Sequence, residues 1–208
     1  MKHIFLILFS LGVFLSSCTE KRDAKPSPTP DLTELLLEVP NTIVDKSALT
    51  YDNKRSIWTL NGQLYSGYAA SYYQDGTLQR KMGILEGKKQ NESIEWYADG
   101  HYKQVANYHL GKLHGEKKIW SSESPHILIA HFNFHAGKAH GEQKKWYPTG
   151  ELFQKINLNM GREDGIQQAY RKNGALFANY EAKKGRIFGL KRAALCFSLE
   201  EEGIQNEK

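Results

Sequence analysis

Glycine recurs at a nearly fixed spacing through most of this 208-residue chain, and that spacing constrains the fold more than any other feature. Successive members of the main series are 25, 24, 26, 24 and 24 residues apart: Gly62, Gly87, Gly111, Gly137, Gly161 and Gly185. A second series, Gly76, Gly100, Gly150 and Gly174, includes two Asp-Gly pairs and one Asn-Gly pair. Such pairs favour β-hairpin turns, because both residues accept positive φ. The period therefore predicts one β-hairpin per repeat.

Residues between the turns align in columns that alternate at every second position. The column before the hairpin turn is aromatic and consists of Tyr72, Trp96, Trp120, Trp146 and Tyr170. The return strands carry further apolar residues two positions apart, such as Met82 and Ile84. Because a step of two keeps residues on one face of a sheet, the columns predict an aromatic and aliphatic core along that face. The predicted fold class is all-β: an elongated single antiparallel sheet of stacked hairpins, with about eleven strands.

Outside the repeats of residues 61–190, composition divides the chain into shorter segments. Residues 1–17 contain an apolar run of about 18 Å as a helix, too short for a bilayer core of about 30 Å but suited to a signal peptide. Residues 18–30 alternate Pro with Ser and Thr, which is typical of an extended tether. Residues 31–60 are expected to form an N-terminal cap with a short helix over 31–39, where Asp31 and Glu34 have capping-box spacing. Residues 191–208 are expected to form a terminal strand and an acidic tail.

The apolar run ends in Leu15-Ser16-Ser17-Cys18, which resembles the lipobox of bacterial lipoproteins. The resemblance implies cleavage before Cys18, lipidation of its thiol and membrane attachment in the cell envelope, and Thr19 favours the outer membrane. An ordinary secretory signal is the alternative. Cys196 would then be the only remaining thiol, so no intramolecular disulfide could form. We expect Cys196 to be buried and structural.

The repeat residues carry a second resemblance. The string Gly137-Lys138-Ala139-His140-Gly141-Glu142, followed by Trp146-Tyr147 and Gly150, is similar to the MORN-variant repeats of bacterial proteins described as antitoxin-like. The similarity covers about residues 61–190 and is weaker in the second repeat, where Asn91-Glu92 stands in place of Gly-Glu. It implies an array of β-hairpins used for binding rather than catalysis, and it does not specify the partner.

Reactive side chains follow the repeat rather than form a recognisable site. The His-Gly-Glu strings at 114–116 and 140–142 occupy one repeat position, which favours turn chemistry over acid–base catalysis. Five histidines cluster in sequence, namely His109, His126, His131, His135 and His140. Strand geometry separates His131 from His135 by about 13 Å, and His109 from His135 by about 10 Å, too far for one metal ion. We therefore predict no catalytic residue, no cofactor and no metal site.

A row of aromatic residues is predicted on the face opposite the tryptophans, where water alone would favour polar residues. The row comprises Tyr73, Tyr97, Tyr147, Phe153 and Phe177. An exposed row of this kind is typical of a binding surface. The alternative is that residues 31–60 fold back and cover it.

The predicted function is that of a lipid-anchored scaffold that binds a protein or peptide in the bacterial cell envelope. The alternatives are a binder of envelope lipid or glycan, and an antitoxin-like protein of a toxin–antitoxin pair. A net charge of +5 and a pI near 9.0 do not by themselves indicate nucleic acid, so no nucleic-acid partner is predicted.

Overall fold

The computed structural model describes residues 38–190, and strands make up nearly all of the regular structure there. The N-terminal elements are β1 (Ile43–Asp45), a 3-10 turn (Lys46–Ala48), β2 (Leu49–Asp52), β3 (Ile57–Leu60) and β4 (Gln63–Leu64). The repeats begin with β5 (Gly67–Tyr72), β6 (Leu78–Leu85), β7 (Lys88–Trp96), β8 (Tyr102–His109), β9 (Lys112–Trp120) and β10 (Leu128–His135). They continue with β11 (Lys138–Ala139), β12 (Gly141–Trp146), β13 (Leu152–Asn159), β14 (Arg162–Tyr170), β15 (Leu176–Lys183) and β16 (Arg186–Leu190).

Several predicted segments lie wholly or mainly outside the described residues. They are the signal peptide with Cys18, the tether, most of the helix over 31–39, and the segment 191–208 with Cys196. Of the predicted helix, only Glu38 and Val39 are described, and neither is helical.

The strands from β5 onward follow one another through the main sheet in chain order, with the two-residue β11 pairing beside β12 on β10. This confirms the predicted all-β array of stacked hairpins. Two features at the N-terminal edge differ from a single antiparallel sheet. Strand β1 runs parallel to β5, and β2, β3 and β4 form a second, three-stranded sheet. That part of the prediction is wrong because residues 43–64 supply strands that do not belong to the repeat.

Strand register places the predicted columns on one face of the main sheet. Met82 lies opposite Ser93, and Ser93 lies opposite Ala106. The same column continues through Lys117, Phe132, Gln143, Ile156, Gln167 and Tyr180. We call this the ladder face, because it also carries Trp96, Trp120 and Trp146. The opposite, polar face carries Lys118, Lys144 and Lys155 in one column.

The main glycine series forms the tight turns between hairpin strands. At the turn from β8 to β9, both Leu110 (φ 49°) and Gly111 (φ 83°) have positive φ, which defines a type I′ turn. The same pairing occurs at Asn61-Gly62, Glu86-Gly87, Ala136-Gly137, Met160-Gly161 and Lys184-Gly185. The Gly111 amide donates to the Lys89 carbonyl near the preceding turn at 2.8 Å. The turns therefore also link successive repeats, which requires a nearly constant repeat length.

The Asp-Gly turns at the other edge have a different geometry from the one predicted. In the loop from β5 to β6 only Gly76 has positive φ, and the Gly76 amide donates to the Tyr73 carbonyl at 3.0 Å. The Asp75 carboxylate accepts bonds from the Thr77 amide and hydroxyl at 2.9 and 2.7 Å. These bonds lower the pKa of Asp75. The turn therefore favours aspartate because its side chain accepts hydrogen bonds from the turn. Positive φ is required only at the glycine.

The N-terminal strands cover one end of the ladder face. Leu49 and Tyr65 form a buried cluster with Ala69, Met82 and Ile84 of the first hairpin, and Val44, Trp58 and Leu60 pack around it. The Trp58 amide also donates to the Gly87 carbonyl at 2.7 Å. Residues 43–65 thus form a cap over this end of the sheet, which lies on the ladder face rather than over the tyrosine row.

Asparagine and glutamine pairs satisfy backbone groups where the strands are interrupted beside Gly141 and Gly165. The Gln143 amide donates to the Asn133 carbonyl at 2.9 Å, and the Gln167 amide donates to the Asn157 carbonyl at 2.7 Å. In return, the Asn157 side chain donates to the Ile166 carbonyl at 2.8 Å. Gln143 and Gln167 are buried, so these bonds avoid the cost of leaving their amide nitrogens unpaired, although Gln167 Oε1 has no hydrogen-bond partner.

Candidate binding face

The predicted aromatic ladder forms, but it is only partly buried. The rings of Trp96 and Tyr102 lie 6.1 Å apart between centroids, and those of Tyr102 and Trp120 lie 5.7 Å apart. Tyr102 nevertheless remains 49% exposed, and Trp96, Trp120 and Trp146 are half-buried. The prediction that this ladder is the buried core is therefore wrong. The cap ends over the first hairpin, and no second layer covers the ladder within residues 38–190.

Fully buried positions on the ladder face are mostly small residues between the large ones. Ala106, Ala130, Ala169, Ala178 and Ala182 are all buried in the described region. An alanine in a single sheet is hidden by taller neighbours on adjacent strands, so its burial needs no covering layer. The large side chains around it remain accessible from above.

A shallow apolar groove lies on the ladder face at the level of β10 to β13. Its volume is about 250 Å³. It is lined by Phe132, Phe134, Ala139, Gln143, Lys145, Gln154, Ile156 and Leu158. The groove and the tryptophan ladder together form a continuous apolar strip, because they occupy neighbouring columns of one face.

Cationic side chains stand among these rings. The Lys89 ammonium lies 4.7 Å from the Tyr108 ring centroid, and the Lys145 ammonium lies 5.9 Å from that of Phe132. Burial lowers the pKa of Lys89, and burial likewise raises the pKa of Tyr108. Ammonium groups at such distances are attracted to the ring faces. The ladder face therefore combines aromatic and cationic character.

Carboxylates on the strands of the ladder face are already engaged. Glu95 bonds to the Arg80 guanidinium at 2.8 Å. Glu163 accepts a bond from the Tyr180 hydroxyl at 2.8 Å, and burial with this bond raises the pKa of Tyr180 to about 12. The arrangement leaves the lysines of this face to interact with an added anionic group.

The predicted tyrosine row has a structural role that sequence reasoning missed. The hydroxyls of Tyr73, Tyr97 and Tyr147 each donate to a backbone carbonyl 23 residues further on, at 2.8, 2.9 and 3.0 Å. The acceptors are Trp96, Trp120 and Tyr170. Tyr147 is only 6% exposed, so the expectation of an exposed row is wrong there. The reason is that each phenol reaches the next hairpin and links the repeats.

The two predicted phenylalanines contact neighbours at the same edge. Phe153 packs edge-on against Tyr147, with ring centroids 5.1 Å apart. The Arg171 guanidinium lies 5.6 Å from the Phe177 ring centroid. Tyr147 and Phe153 therefore contact each other, whereas Phe177 forms a separate cation–π contact with Arg171.

We expect Tyr147→Phe to lower the free energy of unfolding by about 1 kcal/mol, because the Tyr170 carbonyl loses the donor of a part-buried hydrogen bond. Urea denaturation measures this loss. Tyr72→Phe is the control, because Tyr72 is an exposed tyrosine of the neighbouring column, and it should change stability by less than about 0.5 kcal/mol. Equal effects of the two variants would contradict the proposed link between repeats.

The glutamates of the two His-Gly-Glu strings form ion pairs on the polar face. Glu116 contacts the Lys118 ammonium at 2.6 Å and His131 Nε2 at 3.1 Å. Glu142 bonds to Lys144 and, at 3.2 Å, to Lys155. The hydrogen bonds from Lys118 and Lys144 are the main causes that lower the pKa values of Glu116 and Glu142. Charged carboxylates paired in this way favour cross-strand stabilisation over proton transfer.

Comparison with known proteins adds no relative. No family model matches this chain, and no curated protein matches it significantly. The similarity to MORN-variant repeats therefore rests on the repeat residues themselves. In the described part of the chain, no helix has the length and apolar character needed to cross a bilayer.

Proposed function

We propose that this chain is a binding module of the bacterial cell envelope whose ladder face takes a protein segment rich in apolar and acidic residues. The observation that carries the proposal is the strip of half-buried aromatic rings beyond the N-terminal cap. Contiguous apolar surface of this kind typically marks an interaction site on a soluble domain. The ladder face thereby replaces the tyrosine row as the candidate site.

Aromatic anchors supply the apolar part of the interaction. Trp96, Tyr102 and Trp120 form a row of tilted, contacting rings across neighbouring strands, so their positions are set before a partner arrives. Large rings bury much area and lose little rotamer freedom, which is why they dominate binding energies. The groove beside Phe132 and Leu158 offers an adjacent pocket for an aliphatic side chain.

Charge complementarity selects acidic residues in the partner. The ladder face carries Arg80, Lys89, Lys117 and Lys145, whereas Glu95 and Glu163 on the same face are bonded to Arg80 and Tyr180. A carboxylate placed next to Lys117 would gain attraction without displacing an internal partner, and one placed next to Lys145 would add to the contact of that lysine with the Phe132 ring. An acidic, amphipathic protein segment fits this surface better than a basic one.

Attachment through Cys18 and the proline-rich tether completes the proposal. Acyl chains on Cys18 would hold the module at the membrane, at about 0.8 kcal/mol per buried methylene. Cys18→Ser should therefore release the protein into the soluble fraction of lysed cells. Intact mass measurement of the membrane-bound protein provides the second readout. An unmodified Cys18 in that measurement would contradict the anchor but leave the ladder-face proposal standing.

Selection from a random peptide library tests the binding face directly. The purified chain is the bait, and a variant with Tyr102→Ala and Trp120→Ala is the counter-selection bait. We expect enriched peptides to combine aliphatic or aromatic residues with Asp and Glu. Phe188→Ala is the matched control, because Phe188 is a 53% exposed aromatic residue whose cross-strand partner Glu181 lies on the polar face. This control should retain the selected peptides.

Two outcomes would overturn the proposal. One is enrichment that is equally strong for the chain and for the ladder-face variant. The other is the absence of peptide binding together with binding to phosphatidylglycerol vesicles that is lost when Tyr102 and Trp120 are replaced. The second result would assign the ladder face to lipid instead of protein.

A further inference from the structure

The loop between β9 and β10 departs from the repeat and brings a histidine onto the preceding hairpin turn. It spans residues 121–127 and is closed by bonds from the Ser121 amide to the Ile127 carbonyl at 2.9 Å and from the His126 amide to the Glu123 carbonyl at 2.8 Å. The His126 ring stacks on that of His101, with centroids 4.1 Å apart, and lies 5.8 Å from that of Tyr97. The enlarged loop of this repeat therefore supplies the residue that stacks on His101.

Three potential ligand atoms converge at this contact. His126 Nε2 lies 2.8 Å from Asp99 Oδ2, and His101 Nδ1 lies 3.3 Å from Asp99 Oδ1. Asp99, His101 and His126 each offer one such atom, and these atoms all lie within 4.8 Å of one another. Ligand atoms on a tetrahedral zinc ion, with bonds of about 2.0–2.1 Å, are separated by about 3.3 Å. The two histidine–carboxylate spacings, each to a different oxygen of Asp99, lie within about 0.5 Å of that value.

Hydrogen bonding determines which ring nitrogen of His126 faces Asp99. His126 Nδ1 lies 3.1 Å from the Ser121 carbonyl oxygen, which can only accept, so Nδ1 carries the proton. In the neutral ring, Nε2 then presents a lone pair to the Asp99 carboxylate at 2.8 Å. A lone pair that faces a carboxylate at this distance gives two donor atoms between which a cation can bind.

The repeat does not require these residue types together. Asp99 also serves its own turn, because its Oδ1 accepts the His101 amide at 3.1 Å, as Asp75 does at the equivalent turn. Neither histidine is needed for that turn, since Thr77 and Ala175 occupy the position of His101 elsewhere. His126 comes from the enlarged loop. The side chains of Asp99 and His101 are exposed, whereas that of His126 is nearly buried, so the cluster is anchored on one side and accessible on the other.

We propose that Asp99, His101 and His126 bind a divalent transition-metal ion of the zinc type. His126 supplies Nε2, His101 supplies Nδ1 and Asp99 supplies a carboxylate oxygen, a donor set that zinc favours. The Ser121 carbonyl fixes the tautomer of His126, which is the usual role of the group behind a metal-bound imidazole. Because the side chains of Asp99 and His101 are exposed, water or a donor atom of a partner can complete the coordination. Sequence reasoning missed the site because it compared histidines along strands, whereas this site joins a turn to the enlarged loop.

Calorimetric titration of the tag-free chain with zinc chloride tests the proposal. We expect one saturable site per chain, and we expect Asp99→Asn and His101→Ala each to weaken it by at least about tenfold. Asp99→Asn keeps an oxygen that can accept the His101 amide, so the turn is preserved. His131→Ala is the control, because His131 also contacts a carboxylate, Glu116, but lacks a second imidazole there.

The visible spectrum of the cobalt-loaded chain gives a second readout, because absorption by Co²⁺ reports its coordination directly. We expect a tetrahedral spectrum that disappears in the chain with His126→Ala and persists in the chain with His131→Ala. Two results would overturn the site. They are the absence of saturable zinc binding and a zinc affinity that Asp99→Asn and His101→Ala leave unchanged.

Discussion

Replacing Ile84 by alanine is expected to lower the free energy of unfolding by about 2–5 kcal/mol. Ile84 is 0% exposed and belongs to the cluster where the N-terminal cap meets the first hairpin. Truncation removes apolar contacts and leaves a cavity that the surrounding packing fills only in part. Urea denaturation followed by tryptophan fluorescence measures the loss, and Trp58 beside the cluster reports on the cap itself.

Ile187 provides the matched control for this prediction. It also lies on the ladder face, near the C-terminal end of the array, but it is 45% exposed because no cap covers that end within the described residues. Ile187→Ala should therefore change the free energy of unfolding by less than about 1 kcal/mol. Similar losses for the two variants would mean that the cap does not define the core.

The second large effect concerns binding rather than folding. Combining Tyr102→Ala with Trp120→Ala should weaken a selected peptide by at least about 2 kcal/mol, or about 30-fold in Kd, as truncation of aromatic anchors does at interfaces. The same change should cost only about 1–2 kcal/mol of stability, the scale of a lost cross-strand aromatic pair. Fluorescence polarisation with the labelled peptide measures Kd, and thermal unfolding checks that the variant is folded.

Much of the fold follows from the spacing of residues along the chain. Glycines about 24 residues apart, with apolar residues at every second position between them, determine the hairpins, their order and the face on which Met82 and Trp96 lie. These are local relations, because each hairpin pairs only with its neighbours. The conformation of the Asp-Gly turns was predicted less well, since Asp75 bonds to Thr77 instead of adopting positive φ.

Which face is covered could not be derived in the same way. Periodicity shows that two faces differ, but the position of the cap depends on how residues 43–65 pack against Met82 and Ile84, a contact between distant parts of the sequence. The ladder was therefore taken for a buried core and the tyrosine row for an exposed site. The Tyr97 hydroxyl bonds to a carbonyl 23 residues away. The only sequence feature that indicates such a bond is the recurrence of the tyrosine in the repeat.

The cluster of Asp99, His101 and His126 could not be predicted from the repeat for a related reason. Two of its members lie on a hairpin turn, and the third lies on a loop whose path the repeat does not determine. The two extra residues of the third repeat were visible in the sequence. An insertion in a regular array is a signal of function that deserves the same weight as a motif.

Photocrosslinking in intact cells tests the central claim, that the ladder face is the binding face, most directly. A photoreactive phenylalanine analogue is placed at Tyr102 in one chain and at Phe188 in another, and the crosslinked peptides are identified by mass spectrometry. Both positions are exposed, so reactivity alone should not distinguish them. We predict that the Tyr102 position crosslinks to a defined protein segment with apolar and acidic residues, whereas the Phe188 position does not. Protein adducts at the Phe188 position without any at the Tyr102 position would contradict the account.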